Sequence, residues 1–250
     1  MKYTCQCLLL AMLCLLLAAC SGTDLKPKNP AELYFLEGEK QFEKELYSKA
    51  ITSWEMVRDT FYSPELSMLA ELKIAEAYYI TKQYAEAATT FGSFIAKHPD
   101  DFRAASAYFR MGLSYYKQIL SPDRDQTSTQ NALRSFKEFS RLYPDNPKTP
   151  EAKNLILRCR SRLAEHEVYV GLFYLKQKKY SSAINRFEGI LKAYPEYYFR
   201  DEAYFYLGSA YMDLGLDNDA KSYLNKLIQE FPNSKFTDES RELLEKLETE

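Results

Sequence analysis

The residues able to do chemistry are few and scattered. The two histidines, His98 and His166, lie far apart and have no cysteine or carboxylate at metal-ligand spacing. The eight glycines form no phosphate-binding loop, and no G-x-S-x-G is present. The many carboxylates fall on polar helix faces and read as surface charge. The chain is therefore expected to be no enzyme and to hold no metal or cofactor. One residue does stand where chemistry is expected: Cys20 closes an apolar run from about Leu8 to Leu17, which follows Met1 and Lys2. The run is too short to span a bilayer and ends in small residues, as an export signal does.

The closing Leu17-Ala18-Ala19-Cys20 resembles the lipobox of bacterial lipoproteins. That resemblance implies diacylation of the Cys20 thiol, cleavage before it and acylation of the new amino terminus. The covalent lipid is then the only attached group. Ser21 is not the aspartate that retains enteric lipoproteins at the inner membrane, so the outer membrane, periplasmic face, is the expected location. Cleavage removes Cys5, Cys7 and Cys14 and leaves Cys159 without a partner, so no intramolecular disulfide is expected. It also removes Lys2, leaving 32 basic residues of the original 33 against 35 acidic ones. A net charge of 32 − 35 = −3 argues against a nucleic-acid partner.

The body that Cys20 would tether is repetitive. Ala50, Ala87, Ala132, Ala183 and Ala220 are each followed four residues later by Trp54, Phe91, Phe136, Phe187 or Leu224. Seven residues after each alanine stands Val57, Phe94, Phe139, Ile190 or Leu227, so the three positions share one helical face. Pro99, Pro144, Pro195 and Pro232 end four of these helices. The first unit has Tyr62 at that offset and Pro64 just after. Upstream, a small residue (Gly38, Ala75, Gly112, Gly171 or Gly208) marks a close crossing of two helices. Tyr78, Tyr115, Tyr174 or Tyr211 follows it by three, with Gln41 in the first unit. The order resembles the tetratricopeptide repeat. The expected fold is all-α, a right-handed solenoid of five tetratricopeptide-like hairpins. Residues 1–19 are the signal, 20–30 the lipidated cysteine and linker, 31–148 repeats one to three, and 149–250 a long helix with repeats four and five.

Two irregularities break the period. Repeat three carries an insert with Asp123-Arg124-Asp125 at its tip, which salt bridges could order; Thr127 and Gln130 have the form of a capping box. The segment before repeat four has no internal proline from residue 151 onward and reads as one long helix joining repeats three and four. Its apolar stripe is expected at Ala152, Ile156, Cys159, Leu163, His166, Val170 and Phe173. Arg158, Arg160 and Arg162 straddle that helix and are expected to be solvated.

The lipobox, five repeats, Asp-Arg-Asp insert and long helix together resemble the BamD family (ComL, YfiO) of outer-membrane assembly lipoproteins, over essentially the whole mature chain. The closest stretches are "SPDRDQTSTQNALRSFKEFSRLYPDNP", "RLAEHEVYVGLFYLKQKKY" and "AINRFEGILKAYPE". The resemblance implies a scaffold of the β-barrel assembly machine that binds the POTRA domain of a BamA-like insertase, other lipoproteins of that machine and unfolded outer-membrane proteins. It assigns the insertase contact to Arg186, within Asn185-Arg186-Phe187-Glu188-Gly189, with Asn185 and Glu188 of the same motif expected beside it. For the substrate peptide, Tyr34, Tyr62 and Tyr79 are candidates, since their repeat positions do not require burial. The runner-up is a tetratricopeptide lipoprotein serving another envelope machine, such as a secretin pilotin or a peptidoglycan or cell-division coordinator.

Overall fold

The structure, a computed structural model, describes residues 29–60 and 63–249. The signal segment, Cys20 and Tyr62 lie outside the described residues. Eleven helices fill the described chain, with no strand among these residues. In order they are α1 (Pro30–Glu43), α2 (Tyr47–Thr60), α3 (Pro64–Ile80), α4 (Tyr84–Lys97), α5 (Ala104–Tyr116) and α6 (Thr127–Leu142). They continue with α7 (Thr149–Lys176), α8 (Tyr180–Ala193), α9 (Arg200–Asp213), α10 (Asp217–Glu230) and α11 (Thr237–Thr249). Each helix packs chiefly on its neighbours in sequence, as a solenoid requires. Proline at the first position pre-organises α1 and α3. At α1 the Asn29 side chain also caps, accepting from the Glu32 N–H at 2.9 Å.

The hairpins are closed by one repeated device. Glu45, Lys82, Lys178 and Gly215 adopt φ of 59°, 62°, 56° and 70° just before α2, α4, α8 and α10. At each, paired N–H donors return to the last turn of the preceding helix, as in Lys82 to Tyr79 at 3.1 Å and Gln83 to Tyr78 at 2.8 Å. Within each hairpin the predicted face is the core. All fifteen residues at the alanine, plus-four and plus-seven positions are buried, none more than 3% exposed. The small residues opposite are required by space. A methyl group on Gly112 would stand 2.7 Å from the Phe136 ring, and one on Gly171 would stand 2.6 Å from the Phe187 ring.

Repeat three departs from the turn device, and its insert is ordered differently from the expectation. Arg124 forms no ion pair within 4 Å among the described residues. Instead the buried Gln126 amide donates to the Ser121 and Arg124 carbonyls at 2.9 Å each and accepts from Thr129 Oγ1 at 2.8 Å. The expected capping box is absent. Asp125 takes the Thr127 N–H at 2.9 Å and the Thr127 hydroxyl at 3.1 Å, and Thr127 is already helical. Asp125, two residues before Thr127, therefore satisfies the first helical N–H in place of the box.

The 28 residues of α7 make a rod about 42 Å long, twice the usual helix of this chain. Its first half packs Ala152, Leu155 and Cys159 into the core of repeat three beside Phe136 and Phe139. Its second half places Ala164, Val168 and Gly171 against α8. Of the expected stripe, Ala152, Cys159 and Leu163 are buried, Ile156, His166 and Val170 are half-buried and Phe173 is exposed; Leu155, Ala164, Val168 and Gly171 complete the buried face. A helix that meets two different neighbours along its length rotates its buried face, which a single stripe cannot anticipate. Repeat four is built on the second half of this long helix. The linker after α8 reaches the middle of α7, where Arg160 bonds the Glu196 carboxylate and the Ala193 carbonyl. Arg160 is thus a stitch between elements and not a solvated charge.

Candidate partner-binding groove

Arg186 projects from α8 into an open groove of about 530 Å³ between α7 and α8, lined by Glu167, Tyr174, Asn185, Gly189 and Tyr194 among others. On α8, residues 182, 185, 186, 189 and 193 follow the three- and four-residue spacing of one face. Gly189 contributes no side chain, which opens the floor beside the guanidinium. Arg186 Nη1 donates to Glu167 Oε2 at 2.9 Å, with the two side chains 43% and 28% exposed. The bond to Glu167 raises the guanidinium pKa further, so its charge is fixed at every physiological pH. The groove thus offers a preset cation, a neighbouring phenol at Tyr174 and an amide at Asn185. As hydrogen-bond donors these groups are suited to a carboxylate or a carbonyl edge.

The expected trio separates. Asn185 and Arg186 share the groove, while Glu188 lies two residues on, on the far side of α8. There it accepts from the Tyr211 hydroxyl at 2.8 Å and from Tyr223 at 3.2 Å, beneath two rings stacked 5.6 Å apart. Glu188 therefore fastens α8 to α9 and α10. Both tyrosine pKa values rise, first through burial and then through the bonded carboxylate. The i, i+2 relation of Arg186 and Glu188 already implies this division once α8 is a helix.

Of the amino-terminal candidates, Tyr34 and Tyr79 are described, and they do not come together. Glu39 of α1 pairs with Lys73 of α3 at 2.9 Å, and Glu76 of α3 pairs with Arg110 of α5 at 2.6 Å, the same two positions one repeat later. In that register Tyr34 and Tyr79 are offset by eleven helical positions, about 16 Å along the axis. Tyr79 is occupied by the Tyr84 ring at 5.5 Å and by Arg110, whose guanidinium lies 4.9 Å above it. The ion-pair ladder was not legible beforehand, although the spacing of 37 between Glu39 and Glu76, and between Lys73 and Arg110, was there to be read.

Other reactive types are accounted for. Cys159 is fully buried and its thiol is pushed up to about 12 by desolvation, so it is an inert core residue. His98 packs on Phe94 at 5.2 Å, and His166 Nδ1 lies 2.6 Å from the Pro122 carbonyl. Among the described residues no cluster of His, Cys, Asp or Glu could hold a metal. No described helix is long and apolar enough to cross a membrane.

A family model described as "Outer membrane lipoprotein", YfiO, matches residues 27–225. A Rickettsia prowazekii protein named outer membrane protein assembly factor BamD is 33% identical over 207 residues, covering 83% of this chain and 82% of its own length. Proteins of the same name from Caulobacter vibrioides and Haemophilus influenzae are 28% and 27% identical, covering 91% and 83% of this chain and 76% and 83% of theirs. Among solved structures, the TPR2AB domain of yeast Sti1 in complex with an HSP90 peptide aligns over 82% of this chain and 78% of its own, at a TM-score of 0.42 and 16% identity. That likeness adds nothing to the helical-repeat architecture already described. With four-fifths of its length inside the family model and relatives matching along nearly all of it, the chain belongs to the YfiO family of outer membrane lipoproteins.

Proposed function

We propose that this chain is a non-catalytic scaffold for assembling β-barrel proteins into the outer membrane. It joins a BamA-like insertase, through a POTRA domain, to unfolded barrel proteins and to other lipoproteins of the same machine. The observation that carries this reading is that relatives named outer membrane protein assembly factor match along nearly the full chain. The lipid on Cys20 anchors the solenoid to the periplasmic face of the outer membrane. Arg186 and Asn185 dock a carboxylate of the insertase in the α7–α8 groove, where the fixed cation supplies charge-assisted hydrogen bonds. Glu188 supports that surface from behind and does not touch the partner.

The test is Arg186→Glu, read by co-purification of the insertase from detergent-solubilised envelopes. Recovery should fall at least tenfold. The unfolding midpoint should change little, because the pair with Glu167 is substantially exposed and contributes little to stability. Wild-type recovery of the insertase with a folded variant would remove Arg186 from the interface.

A further inference from the structure

The inner positions occupied by the ion-pair ladder in repeats one to three change character beyond the insert. Counting from the small residue of each repeat, the sites of Lys73 and Arg110 become Tyr169 and Tyr206, and the site of Glu76 becomes Leu172. Around Tyr169 and Leu172, where the insert lies against α7, is a re-entrant corner of about 440 Å³. Its apolar floor is Val168, Tyr169, Leu172 and Tyr197, and its charged lining consists of Asp123, Glu165 and Glu202. Asp123 and Pro122 come from the insert, which the His166–Pro122 contact holds against α7. The lining contains three acids and no base; Arg162, which pairs with Glu165 at 2.8 Å, stands outside it. The Tyr197 phenol reports the local potential. Its pKa is raised first by burial and then by Glu202, Glu165 and Asp201. Glu202 is itself raised, chiefly by burial, although Lys235, which lies outside the lining, acts in the opposite direction. At about 100° per residue, Tyr169 and Leu172 face almost opposite to Glu167 and Tyr174 on α7, so this corner is separate from the Arg186 groove.

We infer that this corner is a second docking seat, for a segment of a partner protein that presents one aromatic or branched aliphatic side chain between lysines or arginines. The apolar side chain covers Tyr169 and Leu172, and the flanking cations meet Asp123, Glu165 and Glu202. Charge complementarity selects this occupant: the lining holds Asp123, Glu165 and Glu202 with no base among them, and only Glu165 is ion-paired, to Arg162 outside the corner, so an acidic segment would be repelled and an uncharged one would leave Asp123 and Glu202 unmatched. The insert has a purpose in this arrangement, since it supplies one wall and one of the acids. The inference does not rest on the insertase contact of Arg186.

The experiment uses the purified full chain and a fluorescein-labelled probe peptide, acetyl-Lys-Leu-Lys-Phe-Lys-amide, followed by fluorescence anisotropy. The Glu-for-Lys version of the peptide is the control. The basic peptide should saturate and the acidic one should not. The double variant Asp123→Lys/Glu165→Lys should weaken binding at least tenfold and Tyr169→Ala about fivefold. Asp123 and Tyr169 are exposed and Glu165 is half-buried, so the fold should tolerate these changes. If the double variant is unstable, Glu165→Gln should still weaken binding about threefold. Equal binding of both peptides, or wild-type affinity in a folded Asp123→Lys/Glu165→Lys or Glu165→Gln chain, would overturn the proposal. So would a self-associated chain that dissociates on Tyr169→Lys, because the corner would then belong to a second copy.

Discussion

Asp101 receives three hydrogen bonds from one residue: the Arg103 backbone N–H at 2.8 Å and the guanidinium Nε and Nη2 at 2.7 Å each. They fix the short link between α4 and α5 and hold the Asp101 carboxyl down at about 2, the side-chain bonds being the largest cause. Its folded pKa lies below its unfolded value, so the stabilisation is complete above the unfolded value near 3.8 and is lost as pH falls toward 2. Asp101→Asn should lower the urea midpoint at pH 7 and flatten the fall of stability between pH 4 and 2. Parallel acid curves for variant and wild type would refute the assignment. Side-chain pairs of this kind were not legible in the sequence. Arg186, singled out by its motif, turned out to have an intramolecular partner, Glu167, nineteen positions away on another helix.

At the scale of single elements, the hairpin turns are the weak points. Glu45, Lys82 and Lys178 hold a left-handed conformation in which a Cβ is strained, whereas repeat five uses Gly215. Lys82→Gly and Lys178→Gly should each stabilise the chain by about 0.5–1 kcal/mol, since the strain relieved exceeds the backbone entropy glycine adds to the unfolded state. Urea denaturation measures this, and destabilisation by either variant would show that the lysine side chain packs usefully at the turn. The helices themselves were legible because alanine, ring and proline recur at fixed offsets, and a buried face must repeat with the helical period. The turn conformations were not, because lysine and glutamate give no local sign of φ above zero.

At the scale of the whole molecule, α7 is the shared member of two packing units. Its first half completes the core of repeat three and its second half begins repeat four, so strain passes between them through one rod. Ser161 sits near the junction. Ser161→Pro removes an internal hydrogen bond and clashes with the Leu157 carbonyl, at a cost of about 3 kcal/mol. Unfolding followed by circular dichroism should then separate into two phases, one for each end of the solenoid. A single transition, merely shifted, would show that the contacts of Arg160 with the α8–α9 linker couple the halves without the rod.

The sequence by itself determined the five hairpins, their buried faces, the close crossings at glycine and the unbroken α7. Each is a local or periodic property, set by spacing along one chain and by residue volume. The tertiary structure alone decided which face of α7 is buried at each end, which acid holds Arg186, that Glu188 meets Tyr211 and Tyr223, and that the insert walls a corner lined by acids. These depend on how the elements pack around a rod of about 42 Å shared by neighbouring repeats. Residues distant in sequence meet only in that packing, and no single helix carries a record of it.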